Sequence, residues 1–196
     1  MSQSVRECAD ADKARVSAML GAAFQDDPVI AYIFPNPEVR RARLPGFYGV
    51  VYGVDGARGA RFMTANGEAA TIWRAPGHER HSLVEKIQQA WPWVAASGPA
   101  IGRVLVFSGA SDEHHPPEPH WYLHAAGCLP SAQRKGFGSA AVRAGLARAD
   151  ADGVPAYLET ATEANLPFYA SLGFAVTHEW KVKNGPRCWS MLRKPS

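Results

Sequence analysis

Gln133, Gly136 and Gly138 stand in the stretch Pro130-Ser-Ala-Gln-Arg-Lys-Gly-Phe-Gly-Ser139, just ahead of an alanine-rich run with helical period. The start of a helix leaves its first amides without partners and carries the positive end of the peptide dipoles, so it receives anions. Glycines there remove side chains that would hold a phosphate away, and they tolerate unusual backbone angles. This spacing therefore suits the gripping of a nucleotide-type cofactor by its phosphates. Residue types that can move protons lie nearby in sequence. Glu159 and His124 are on the two strand-like runs that flank the turn and its helix, and Tyr169 follows shortly after. An imidazole has a near-neutral pKa suited to proton transfer.

Other candidates carry less chemistry. Cys128 has no basic partner at hand and reads as a small buried hydrophobe rather than a nucleophile. His114, His115, His120 and His124 sit in a proline-broken segment without regular ligand spacing, so no metal site is expected. Tyr32, Phe34 and Trp73 could line an aromatic pocket or pack a core.

These residues need elements to position them. A short strand is expected over residues 5–8, then a helix from Asp10 or Asp12 to Phe24 that ends at Asp26-Asp27-Pro28. An apolar segment over 29–34 leads to Pro35-Asn36-Pro37, and 38–54 looks helical with a kink or break at Pro45. Asn66-Gly67 predicts a hairpin between strands at 61–64 and 69–73. Residues 79–97 read as a helix interrupted by Pro92, and 109–119 as a polar loop. Beyond it the order is a strand at 121–129, the glycine turn, a helix to about 151, a strand at 154–160, a short helix at 166–172 closed by Gly173, and two strands near 174–182 and 188–193. The 121–129 and 154–160 strands should be parallel, because a helix joins them. The missing third glycine argues against a doubly wound dinucleotide fold.

With 196 residues, 46% of them hydrophobic and 20% charged, the chain fits one domain with a sizeable core, spanning 1–196. A formal net charge of only +3 does not suggest a nucleic-acid partner. The Arg40, Arg41, Arg43 cluster reads as a solvated helix face. Three scattered cysteines give no disulfide framework, and neither a signal peptide nor an apolar run of ~20 residues is present. The expectation is a cytoplasmic protein with no membrane partner, monomeric or homodimeric.

The Gln-x-x-Gly-x-Gly turn resembles the Arg/Gln-x-x-Gly-x-Gly/Ala motif of the GNAT superfamily of N-acetyltransferases, and the run Asn165 to Phe174 resembles its second signature. Over roughly residues 116–195 the chain is most similar to the puromycin-acetylating members of that superfamily. The resemblance implies a mixed α/β fold: a mostly antiparallel sheet, a parallel pair at the cofactor cleft, and helices on both faces. It implies acetyl-CoA as cosubstrate, with backbone amides of Arg134, Lys135, Gly136, Phe137, Gly138 and Ser139 facing the pyrophosphate. Gln133 belongs to the same motif. Ala126, Gly127 and Cys128 would lie along the pantetheine arm, and Asn165 would contact it. Tyr169 corresponds to the family's general acid; a phenol of pKa ~10 can protonate a departing thiolate. A base is needed only if the amine arrives charged, and Glu159 through a water, or His124, could serve. An α-amino group, at pKa ~7.7–8.0, gives up its proton more readily than a lysine amine at ~10.4. Tyr32 and Trp73 would bind the acceptor. The expected acceptor is puromycin or a related aminoacyl nucleoside. Another antibiotic, a polyamine or a protein N-terminus would be alternatives, and so would a sensor that binds acyl-CoA without turnover.

Overall fold

The dipeptide Asn66-Gly67 makes the hairpin its residues predict. Gly67 adopts φ +75°, and β2 (Gly59–Thr64) returns as β3 (Ala69–Arg74). In the computed structural model, which describes residues 3–56, 58–78 and 83–196, this hairpin belongs to a seven-stranded sheet. The other strands are β1 (Val5–Glu7), β4 (Trp121–Cys128), β5 (Ala156–Thr160), β6 (Ala175–Lys181) and β7 (Arg187–Arg193). Their spatial order is β1-β2-β3-β4-β5-β7-β6. The pair β4–β5 is parallel and all other neighbours are antiparallel, as the connecting helix required.

The parallel pair is short. It joins Trp121–Leu123 to Ala156–Leu158 and then stops. Beyond it β4 keeps only β3 as a partner, and Glu159 and Thr160 of β5 pair only with β7. The reason lies at His124. Ile72 pairs with Ala125 and Trp73 with Leu123, which leaves His124 as an extra residue on β4. A bulge of this kind bends its strand, and the two strands part into a wedge at the centre of the sheet.

Seven helices accompany the sheet among the described residues: α1 (Lys13–Ala23), α2 (Pro28–Ile33), α3 (Pro37–Gly56), α4 (Leu83–Ser97), α5 (Ile101–Asp112), α6 (Phe137–Asp152) and α7 (Leu166–Ala170). One face packs under α6 and α7, around Trp73, Leu123, Val142, Leu146, Leu158 and Met191. There Gly145 is obligatory, because an added Cβ would stand 2.1 Å from the Trp73 ring. The other face packs under α1 to α3, around Leu20, Ile33, Phe34, Leu44, Tyr52 and Ile72.

Several elements differ from expectation. Residues 28–33 form a helix, because Asp27 caps it through two amides and Pro28 stands at its first position, where no N–H is missed. Helix α3 runs through Pro45 as one element, and α4 likewise through Pro92. Residues 79–82, the expected start of that helix, lie outside the described residues. Helix α5 takes up the first part of the expected loop, so the His/Pro segment begins only after Asp112.

Candidate active site

The glycine turn is built as an anion cradle. Arg134 takes φ +60° and Gly136, the N-cap of α6, takes φ +86°, so two residues of the turn are left-handed. Ala140 closes the first helical bond on the Gly136 carbonyl at 3.0 Å. Among the described backbone bonds outside the regular elements, none is made by the amides of Arg134 to Ser139, and no side chain caps the helix. An added Cβ at Gly136 would meet no atom within 4 Å, and one at Gly138 would meet only Phe168, at 3.8 Å. The protein's own packing therefore leaves the space over these amides open. Lys135 turns its ammonium to the Ser131 carbonyl (2.9 Å), which leaves Arg134 as the cation at the opening.

A cleft of about 640 Å³ runs from this cradle along β4. Ala126, Gly127, Cys128, Gln133, Arg134, Gly136, Gly138, Ser139, Asn165 and Tyr169 line it, so most of the expected cofactor residues are brought together. Lys135 and Phe137 are not among its walls. Gly127 is needed where α1 crosses β4, since a Cβ there would lie 2.7 Å from Leu20 Cδ2 and 3.1 Å from Ala23 Cβ. Cys128 points its sulfur toward the Gly138 amide. Burial raises its thiol pKa more than that amide lowers it, so it stays a neutral thiol. Asn165 occupies the N-cap of α7 but makes no capping bond with its side chain, which stays exposed at the cleft.

Tyr169 is buried with its phenol pushed well above the ordinary tyrosine value, first by burial and then by the charge of Asp27. Both effects keep the proton on the ring. Asp27 was legible in the sequence only as a helix terminator. In the structure its carboxylate lies in the cleft wall and accepts from the amides of Val29 (2.9 Å) and Ile30 (3.0 Å). Burial raises the carboxyl pKa and those two amides lower it. The signal that could have found it is the Asp-Pro step itself, a cap followed by a first-turn proline.

Glu159 lies at the parting of the wedge, half-buried on the face opposite α6, and neither it nor His124 is among the walls of the 640 Å³ cleft. It accepts from Ser111 Oγ (2.6 Å, Oε2), Tyr157 Oη (3.0 Å, Oε1) and Tyr122 Oη (3.4 Å, Oε2). Burial raises its carboxyl pKa; the hydroxyls of Ser111, Tyr157 and Tyr122 and the charge of His124 oppose this. His124, the bulge residue, stacks on Tyr122 at 5.3 Å between ring centroids. Cys188 links the two acidic residues. Its buried thiol is pushed up to about 12, first by burial, then by Glu159 and Asp27 together. Both carboxylates thus stand within electrostatic reach of one point beside α2, α5 and β7.

Two expected acceptor residues are placed differently. Trp73 is fully buried under α6 against Gly145, with its Nε1–H donated to Thr71 Oγ1 (3.0 Å), so it belongs to the core and not to a pocket. Strand β3 is buried on both faces, and alternation gave no clue to the side Trp73 takes. Tyr32 is tied down: its hydroxyl donates to the Lys183 carbonyl (3.3 Å), and Arg103 of α5 donates to its own carbonyl (3.3 Å). It packs beside Trp180 and Val182, a wall and not a contact in the 640 Å³ cleft. The histidines do not converge on a metal: among the described residues no group of three or more His, Cys, Asp or Glu side chains could hold one. His115 and His120 face each other at 3.3 Å, and His114 stacks on Trp180.

Comparison with known proteins agrees with this geometry. Residues 67–174 match the model of the acetyltransferase (GNAT) family, a span that contains the bulged strand, the cradle and α7. Among solved structures, a histone acetyltransferase HPA2 and related acetyltransferase from Corynebacterium glutamicum is similar over 100% of this chain and 98% of its own, at 25% identity and TM-score 0.76. An agmatine N-acetyltransferase shares the fold at TM-score 0.67 and 13% identity, covering 99% of this chain and 100% of its own. So does the polyamine N-acetyltransferase of Drosophila melanogaster, at TM-score 0.63 and 13% identity, covering 97% and 99%. A wedge in the sheet, a row of open amides at the start of α6, and a family match across both lead to one conclusion: the chain belongs to the acetyltransferase (GNAT) family, N-acetyltransferases that draw on acetyl-CoA.

Proposed function

We propose that the protein acetylates a primary amine of a small molecule that docks as a cation on the Asp27 and Glu159 side of the wedge. One observation carries the reading. The cleft that opens where β4 and β5 part has an anion cradle at one end and the Asp27 carboxylate in its wall, with Glu159 half-buried beyond that wall on β5. Bound acetyl-CoA supplies the activated thioester. The amides of Gly136 to Ser139 and Arg134 hold its diphosphate, and Ala126 to Cys128 with Asn165 border its arm. Tyr169 Oη keeps a proton available for the departing thiol. The amine's proton goes to a Glu159 carboxylate oxygen, directly or through one water, with the charge of His124, which stacks on Tyr122, acting on that carboxylate. Asp27 supplies counter-charge to the ammonium before it is deprotonated. A raised carboxyl pKa suits the task, since a base closer to neutrality takes a proton more readily.

The acceptor we put first is puromycin or a related aminoacyl nucleoside, on the strength of the C-terminal resemblance. Its α-amine needs only a mild base, and acetylation would turn that amine into a neutral amide. Agmatine and polyamines are the acceptors named for two proteins of the same fold, and two carboxylates suit them also. Free thiol released from acetyl-CoA, measured across puromycin, agmatine, polyamines and peptide N-termini, decides among them. The reading expects release with at least one primary amine. Tight CoA binding with no release for any amine would make the chain an acyl-CoA-binding module instead.

A further inference from the structure

Helix α5 sends one side chain into the heart of the site. Ser111, in its last turn and buried, donates the shortest hydrogen bond that Glu159 receives, 2.6 Å to Oε2. The other donors are shared or longer. Tyr157 has one hydroxyl proton and three partners within reach: Glu159 Oε1 at 3.0 Å, the His114 carbonyl at 3.1 Å and Ser190 Oγ at 2.8 Å. Tyr122 stands at 3.4 Å. Of the hydrogen bonds that favour the Glu159 anion, the one from Ser111 counts most.

We propose that Ser111 is a positioning residue for the reaction: it fixes the rotamer of Glu159 toward the wedge and holds its carboxylate ready for the amine's proton. This rests on the reading of Glu159 as the base. Helix α5 is then part of the catalytic apparatus, tied to the site at Ser111 and to α2 through Arg103 and Tyr32. The groups facing Glu159 are Tyr122 and His124 from β4, Tyr157 from β5, Cys188 and Ser190 from β7 and Ser111 from α5. His114 and His115 surround Tyr157, and Asp27 faces the same thiol from α2.

The test is the pH profile of kcat/KM for wild type, Ser111→Ala, Ser111→Thr and Glu159→Gln, each with CoA affinity measured beside it. Loss of a donor to an anion raises the carboxyl pKa, so the acidic limb of Ser111→Ala should move to higher pH, by about one unit. Ser111→Thr, which keeps the hydroxyl, should restore it, and CoA affinity should not change. Ser111→Cys, a weaker donor of similar size, should give a smaller shift in the same direction and serves if the alanine variant does not fold. A Ser111 variant with the wild-type limb and rate, where Glu159→Gln abolishes turnover, would overturn the role of Ser111 and leave Glu159 as the base. Wild-type turnover and limb in Glu159→Gln would overturn both.

Discussion

Gly138 separates what the fold needs from what the ligand needs. Its backbone is ordinary helix, absent from the residues with positive φ, and an added Cβ would touch only Phe168 Cζ, at 3.8 Å. Nothing in the packing requires glycine there. Replacing an unstrained helical glycine with a side-chain-bearing residue stabilises by ~0.5–1 kcal/mol. In a chain of this length that corresponds to a rise in Tm of about 1–4 °C. Gly138→Leu should therefore melt no lower than wild type without ligand. Its side chain would nevertheless stand over the amides of the cradle. Loss of one hydrogen bond to a charged phosphate costs ~1.5–3 kcal/mol, or about 10–100-fold in Kd. Gly138→Ala should gain the stability and keep most of the affinity. Calorimetric titration with CoA and thermal melts of the same samples make the comparison. A Gly138→Leu protein that binds CoA as wild type does would mean that no ligand passes over this position. One that loses several degrees of Tm would make Gly138 a packing residue instead.

Other consequences follow from the same structure. Gly136→Ala should lower stability by ~1 kcal/mol, because φ +86° is strained for any side-chain-bearing residue; a thermal melt measures it. Tyr169→Phe should lower kcat by about 10²-fold or more with CoA affinity nearly unchanged, as expected for loss of a proton donor; unchanged kcat would remove it as the acid. Since burial and Asp27 both raise the Tyr169 phenol, wild type should show no alkaline loss of rate from this group near the ordinary tyrosine pKa. Asp27→Asn keeps a good helix cap but removes the charge, so Tm should stay close to wild type while kcat/KM for a cationic amine falls about tenfold or more in steady-state assays. Asp150, held down to about 2 by Arg193 (2.7 and 3.0 Å), contributes stability above its unfolded value of 3.8 that is lost as pH falls through the folded value. The Tm difference between wild type and Asp150→Asn should thus shrink between pH about 4 and about 2.

Much of this site was readable in the residues because it is local. A cradle made of one turn and one helix start depends on glycines at fixed offsets, and Gln133 to Ser139 carry them. The parallel pair followed from the helix between two strands, and Tyr157 and Glu159 share a face because strands alternate. What depended on distant packing was harder. Asp27 reads as a terminator until its carboxylate is seen in the same cleft as Tyr169. Trp73 looks like a pocket residue until Gly145 reveals the room made for it. Helix α5 carries Gly102 and Gly109, poor helix formers, and its helical state follows from contacts with α2 and with Glu159. The bulge at His124, which opens the wedge, shows only as a slip in register between two strands.

The most direct measurement is amide NMR of the labelled protein during titration with CoA. The resonances of Gly136, Phe137, Gly138 and Ser139 should shift first and furthest, through contact with the diphosphate. Saturating CoA with those four amides unmoved would contradict that contact.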